Sequence, residues 1–131
     1  MINKEDANIL IVDDIEDNRY TLERRLKRDG YKNIFSAEGG KVALDMASKN
    51  RFDLILLDLM MPDMSGLEVL KYLKGDPLQR TIPVIMVTAS DEVETAAECI
   101  INGADDFITK PFNGTLLKAR VGASLEKKRL R

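Results

Sequence analysis

Histidine is absent from the 131-residue chain, and cysteine occurs once, at Cys99. The first absence excludes His-activated nucleophiles, imidazole general acid–base work and His metal ligands. The second excludes an internal disulfide and a Cys-rich metal site, and Cys99 reads as an ordinary helix residue near the core. No apolar run approaches the roughly 18 residues of a membrane span, and the opening Met1-Ile-Asn-Lys-Glu-Asp6 has no apolar signal region. The expectation is a soluble, cytoplasmic protein without a membrane partner. Glycine-rich phosphate loops are missing as well. Neither Gly-x-Gly-x-x-Gly nor a P-loop follows the first strand-like run, and the acids that stand there instead would repel a pyrophosphate.

What remains is an ordinary globular composition, 44% hydrophobic and 32% charged, long enough for one domain with a proper core. A net charge of −2 argues against nucleic acid as the domain's primary partner. The balance is uneven, because residues 126–131 hold four bases and one acid and leave about −5 on the rest.

Apolar runs alternate with helical patterns along the chain. Asn8-Ile-Leu-Ile-Val12 reads as a buried strand, followed by the acids Asp13 and Asp14 and then by Ile15, Arg19, Leu22 and Leu26 at helical spacing, ending at Asp29-Gly30. Weaker strand character over 33–37 precedes a helix over 39–48 with Ala43, Leu44 and Ala47 inward. A strongly apolar strand over 53–57 ends at Asp58. A loop bracketed by Pro62 and Gly66 leads to a helix marked by Leu67, Leu70 and Leu73 and stopped by Gly75-Asp76-Pro77. The strand over 83–87 ends at Thr88. A helix with Val93, Ala97 and Ile100 on one stripe stops at Asn102-Gly103, and a short strand over 106–109 ends at Lys110-Pro111. The last helix starts near Asn113, with Leu116, Leu117 and Val121 facing the sheet, and continues through Gly122. Five strands alternating with five helices, the strands apolar without alternation, predict an α/β fold: a doubly wound, three-layer, five-stranded parallel sheet. A closed eight-unit barrel, needing roughly 250 residues, is excluded.

In such a sheet, ligands bind outside the carboxyl ends of the strands. There the sequence places Asp13 and Asp14 after strand one, Asp58 after strand three, Thr88 after strand four and Lys110 after strand five. Three carboxylates repel one another unless a cation sits among them. Mg²⁺ fits, since it prefers one or two carboxylates with waters and phosphate oxygens, and the missing His and Cys disfavour softer metals. Lys110 and Thr88 then read as donors aimed at an anion beside the metal, an arrangement suited to phosphoryl transfer, with a carboxylate as a possible nucleophile. Taken singly, each residue has a plainer role: Asp13 or Asp14 as turn residue or cap, Thr88 within a capping Thr88-Ala-Ser-Asp91, Lys110 as a solvated lysine.

The segments Ile11-Val-Asp-Asp14, Leu56-Leu-Asp58-Leu-Met-Met-Pro62-Asp-Met-Ser-Gly66, Val87-Thr88-Ala89 and Lys110-Pro111 resemble the receiver domains of bacterial two-component response regulators, over essentially residues 8–125. The resemblance implies a flavodoxin-like (βα)5 fold and a phosphorelay role. By it, Asp58 accepts a phosphoryl group from the phosphohistidine of a sensor histidine kinase or histidine phosphotransfer protein. Mg²⁺ is held by Asp14, Asp58, the Met60 carbonyl and, chiefly through water, Asp13. Lys110 pairs with the Asp58 carboxylate and then with phosphoryl oxygens. Thr88 moves to hydrogen-bond the phosphoryl group, and Ala89 offers its backbone N–H. The Lys110-Pro111 bond is expected to be cis. In this family an aromatic residue on strand five, often Tyr, follows the Thr movement; here it is Phe107, without a hydroxyl, so that Thr88, Phe107 and Pro111 form the switch. The missing histidine then belongs to the donor protein.

Met60, two residues past Asp58, is long and apolar, and slow autodephosphorylation is expected from it. The same residue weighs against the chief alternative, a Mg²⁺-dependent phosphohydrolase, because it cannot protonate a leaving group. A phosphorylation-independent scaffold is the third reading. The chain is expected to turn over only its own phosphoryl group and to be no enzyme otherwise. Residues 1–125 are expected to form the receiver, and residues 126–131 a basic helical extension. That extension would start a linker to an output domain, the alternative being a stand-alone receiver with a long last helix; the expected partners at the last helices are such an output domain or a second copy.

Overall fold

The computed structural model describes residues 3–89 and 91–130, residues 127–130 as backbone only. Ten elements alternate: β1 (Asn8–Val12), α1 (Glu16–Arg28), β2 (Asn33–Ala37), α2 (Gly40–Lys49), β3 (Leu54–Asp58), α3 (Gly66–Gly75), β4 (Val84–Ala89), α4 (Val93–Ile101), β5 (Asp106–Lys110) and α5 (Gly114–Leu130). The strands form one parallel sheet in the order β2-β1-β3-β4-β5. The predicted α/β fold, a doubly wound (βα)5 flavodoxin-like arrangement, is the one observed.

The strands lack an apolar–polar alternation because both faces are covered, and the pleat sorts one apolar run into two cores. Leu10, Val12, Ile55, Leu57, Val84 and Met86 pack with Ala43, Ala47, Leu70, Leu73 and Cys99 from α2, α3 and α4. Ile9, Ile11, Leu54, Leu56, Ile85 and Val87 pack with Leu22, Leu26, Leu117, Val121 and Leu125 from α1 and α5. Each fully buried aliphatic side chain of this kind contributes about 1.5–3 kcal/mol, so the three central strands anchor the molecule. The second core ends at Leu125 on α5.

The helix faces differ from the sequence expectation at three places. Val93 and Ile100 are exposed, as is Ala97; α4 instead buries Ala96 and Cys99. Small side chains let this nine-residue helix lie close to the sheet, and its larger apolar groups then face outward. Ile15 is exposed and stands before α1 as its N-cap residue. Leu116 is exposed too, one position off the Leu117–Val121 stripe, which the i, i+4 spacing carries into the core. Cys99 is buried in the core, and the Lys110-Pro111 bond is cis. The basic extension is placed only as backbone of α5 to Leu130; Met1, Ile2, Ser90 and Arg131, and with them part of the capping and tail readings, lie outside the described residues.

Candidate functional site

The chain leaves β1 to one side for β2 and returns to the other for β3, so β1 and β3 are neighbours whose following helices cover opposite faces. A crevice opens at such a reversal, at the carboxyl ends of the strands. Asp13 and Asp14 follow β1 and Asp58 ends β3, and one carboxylate oxygen from each lies within 4.8 Å of the others. Asp13 and Asp58 are buried, at 1% and 4% exposure. Lys110, the last residue of β5, reaches across the end of β4, and its Nζ donates to Asp58 Oδ1 at 2.9 Å. The same Nζ stands 3.3 Å from Asp13 Oδ2.

Local hydrogen bonds fix Asp13. Its Oδ1 accepts from the Ile15 N–H at 2.9 Å, an Asx-turn that leads into α1, and Arg19 Nη1 donates to its backbone carbonyl at 2.8 Å. Asp58 is held by the loop that follows it. Ser65 and Glu68 form a capping box at the start of α3, and the Gly66 N–H donates to the Leu59 carbonyl at 2.7 Å. A Cβ on Gly66 would lie 2.3 Å from the Asp58 carbonyl oxygen and 2.9 Å from the Leu59 Cα. Only glycine therefore lets α3 start so close to the end of β3.

One ammonium among three carboxylates leaves this crevice short of positive charge. Burial pushes the Asp58 carboxyl up, Asp13 and Asp14 add to the rise, and Lys110 opposes it; the net result is a pKa of about 6. Burial works against the Lys110 ammonium, but its hydrogen bond to Asp58 and the charges of Asp58 and Asp13 outweigh that cost and raise its pKa. A hard divalent cation would relieve the repulsion, and an all-oxygen donor set with room for water suits Mg²⁺.

Thr88 and Ala89 end β4 in register with Thr109 and Lys110. The Thr88 hydroxyl is fully buried and has no hydrogen-bond partner among the described residues, which makes it a donor in need of an acceptor. Phe107 pairs with Met86 and packs against the core on the α2–α4 side. The pleat puts it on the same face as Thr88, one side-chain position back. Arg120 of α5 holds it in place: Nη1 donates to the Phe107 carbonyl, and the guanidinium lies 6.0 Å from the ring centroid. Pro111 follows Lys110 at the same edge. Met60, two residues past Asp58, is 63% exposed. The structure thus joins Asp13, Asp14, Asp58 and Lys110 by direct approach and ranges Thr88, Ala89, Met60 and Pro111 along the same edge.

Two acids at this edge carry roles that the sequence reading missed. Asp63, in the loop after Asp58, accepts from the Gly40 N–H at 3.1 Å and the Lys41 N–H at 3.0 Å, and so caps α2 from a distance. The signal was available in Gly39-Gly40, which begins α2 without a capping side chain of its own. Glu92 accepts from the Ala89 N–H at 2.7 Å. A groove of about 240 Å³ adjoins Lys110, between Asn18, Thr21, Leu22 and Phe112. A larger hollow of about 450 Å³, around Phe52 and Ile82, touches none of Asp13, Asp14, Asp58 and Lys110.

Residues 9–122 match the family described as the response regulator receiver domain. The chain belongs to that family. Receiver domains serve two-component signalling and are typically not themselves enzymes. Response regulator PleD of Caulobacter vibrioides is 45% identical over 115 residues, covering 88% of this chain and 25% of the relative, so the chain spans about a quarter of that protein. Chemotaxis protein CheY-3 of Vibrio cholerae is 34% identical over 127 residues, covering 97% of each. The solved signal receiver domain of a signal transduction histidine kinase from Syntrophus aciditrophicus superposes with a TM-score of 0.82 at 38% identity, covering 92% of this chain and 90% of that one. No helix among the described residues is long and apolar enough to cross a membrane.

Proposed function

We propose that Asp58 is the phosphoacceptor of this receiver. The donor is a phosphohistidine on a sensor histidine kinase or a histidine phosphotransfer protein. The observation that carries this reading is the buried Asp58 carboxyl, joined to Lys110 at 2.9 Å and crowded by Asp13 and Asp14. With a pKa of about 6, Asp58 is mostly the nucleophilic carboxylate at neutral pH. Its free oxygen attacks phosphorus, the N–P bond of the donor breaks, and the imidazole leaves with that electron pair and is protonated by solvent. Lys110 keeps its hold on Asp58 and neutralises charge on the transferred group.

Asp14, Asp58 and the Met60 carbonyl would hold Mg²⁺, with Asp13 acting chiefly through water. When bound, Mg²⁺ supplies charge neutralisation at the transferring phosphoryl group. Thr88 and Ala89 supply the remaining donors, a hydroxyl and a backbone N–H. Satisfying the orphaned Thr88 hydroxyl draws that side chain toward Asp58, and Phe107, on the same face, follows into the space it leaves. With Pro111 they form the switch. The change passes through Arg120 to α5, and from there to an output domain, a partner or a second copy meeting at the last helices. Residues 1–125 are the receiver, and 126–131 begin the connection. The setting of this chemistry is the cytoplasm, and the chain carries out no catalysis beyond gaining and losing its own phosphoryl group.

Incubation with Mg²⁺ and acetyl phosphate, read by intact mass, tests the reading. One added phosphoryl group is expected on the wild type and none on Asp58→Asn or with EDTA present. An adduct that persists in Asp58→Asn would assign the chemistry to another residue.

A further inference from the structure

The Ala89 backbone N–H, at the end of β4, is already taken. Glu92 Oε1 accepts from its N–H at 2.7 Å, while the Glu92 N–H donates back to the Ala89 carbonyl at 3.0 Å. Glu92 is also the N-cap residue of α4, and there its side chain does no capping. Glu is a poor N-cap, and residues that cap well turn the side chain forward onto the first helical N–H groups. Here the carboxylate turns backward onto the strand and makes no cap bond to the first turn of α4. The hydroxyl next door, on Thr88, has no hydrogen-bond partner among the described residues. At the same edge, then, one donor waits and the other is held by an acid.

We infer that Glu92 is a positioning residue that occupies the Ala89 N–H in the unphosphorylated protein and must be displaced by a phosphoryl oxygen on Asp58. The inference rests on Asp58 being the phosphoacceptor. Two forces oppose the incoming group. A single N–H cannot serve the carboxylate and a phosphoryl oxygen at full strength together, and the two anions repel across a poorly solvated edge. Displacement frees the link between the end of β4 and the start of α4. Phosphorylation thereby acts on α4 directly, in addition to any movement of Thr88 and Phe107.

Beryllofluoride with Mg²⁺, a non-reacting mimic of the phosphoryl group, provides the test on the whole chain. Glu92→Ala removes the competing acceptor and should lower the half-saturating beryllofluoride concentration by about fivefold, the scale of one net hydrogen bond, without changing Mg²⁺ affinity. Glu92→Gln keeps an acceptor oxygen and loses the charge, and should fall between wild type and Glu92→Ala. In the metal-free protein, the Ala89 amide proton resonance should move upfield in Glu92→Ala, and amides of the first turn of α4 should exchange faster. Unchanged or weakened beryllofluoride binding in Glu92→Ala overturns the role of Glu92, as does an unmoved Ala89 resonance. Failure of the wild type to take up beryllofluoride overturns the assignment of Asp58 itself, so the two failures are distinguishable.

Discussion

Asp58 is held in a place where its own charge is unwelcome until something cationic arrives. Its ordinary carboxyl pKa is near 4 and its folded value is about 6, so the folded chain holds this proton to higher pH than the unfolded chain does. The sign follows from proton binding: between those two values the folded chain binds more protons than the unfolded chain. Stability therefore falls as pH rises through that window, by on the order of 3 kcal/mol when complete. Asp58→Asn cannot ionise. In EDTA, its melting temperature relative to wild type should climb between about pH 4 and pH 6 and then level off, and added Mg²⁺ should narrow the gap by stabilising the wild type more. A flat difference across that range would contradict the electrostatic picture. Met60 belongs to the same scale. It is exposed and follows Asp58 by two residues, and Met60→Asn should shorten the phosphoryl half-life several-fold, measured as phosphate release after removal of the donor.

The loop between β3 and α3 does more at the level of elements than its short length suggests. It carries Asp58 at one end, makes room through Gly66, and caps α2 through Asp63. Gly66→Ala should cost about 3 kcal/mol in urea unfolding, because the new Cβ meets backbone that cannot step aside. It should weaken Mg²⁺ binding too, by displacing the end of β3. Asp63→Ala should cost about 1 kcal/mol through the lost cap. Backbone hydrogen bonds from Lys41 and Gly40 hold the Asp63 carboxyl below its ordinary pKa. This contribution is therefore present above about pH 4 and is lost as pH falls through the lowered folded value, so the two proteins should converge in acid. The elements themselves were largely legible in the sequence: strands came from continuous apolar runs, and helix ends from Gly and Asn. The α4 face was not, because hydrophobicity picked out Val93, Ala97 and Ile100 while close packing buried Ala96 and Cys99. The paired acids, Asp58 and Lys110 were legible because strand ends in a parallel sheet converge. Asp63 and Glu92 were not, since each acts on backbone of another element and leaves no spacing pattern.

At the scale of the whole molecule, a three-layer body carries Asp13, Asp14, Asp58 and Lys110 together at one edge of its sheet. Both cores run unbroken beneath the crevice, and the α1–α5 core closes at Leu125. Deleting residues 127–131 should therefore leave unfolding free energy within about 0.5 kcal/mol of the parent and leave phosphoryl uptake unchanged, as urea titration and intact mass would show. Loss of either would make those residues part of the receiver rather than a connection. The phosphoryl group is expected to reside on Asp58. Borohydride reduction after treatment with acetyl phosphate and Mg²⁺ tests it most directly, because it converts an aspartyl-phosphate to homoserine that peptide sequencing can locate. Homoserine at position 58 alone is the predicted result; homoserine at another aspartate, or at none, would contradict the account.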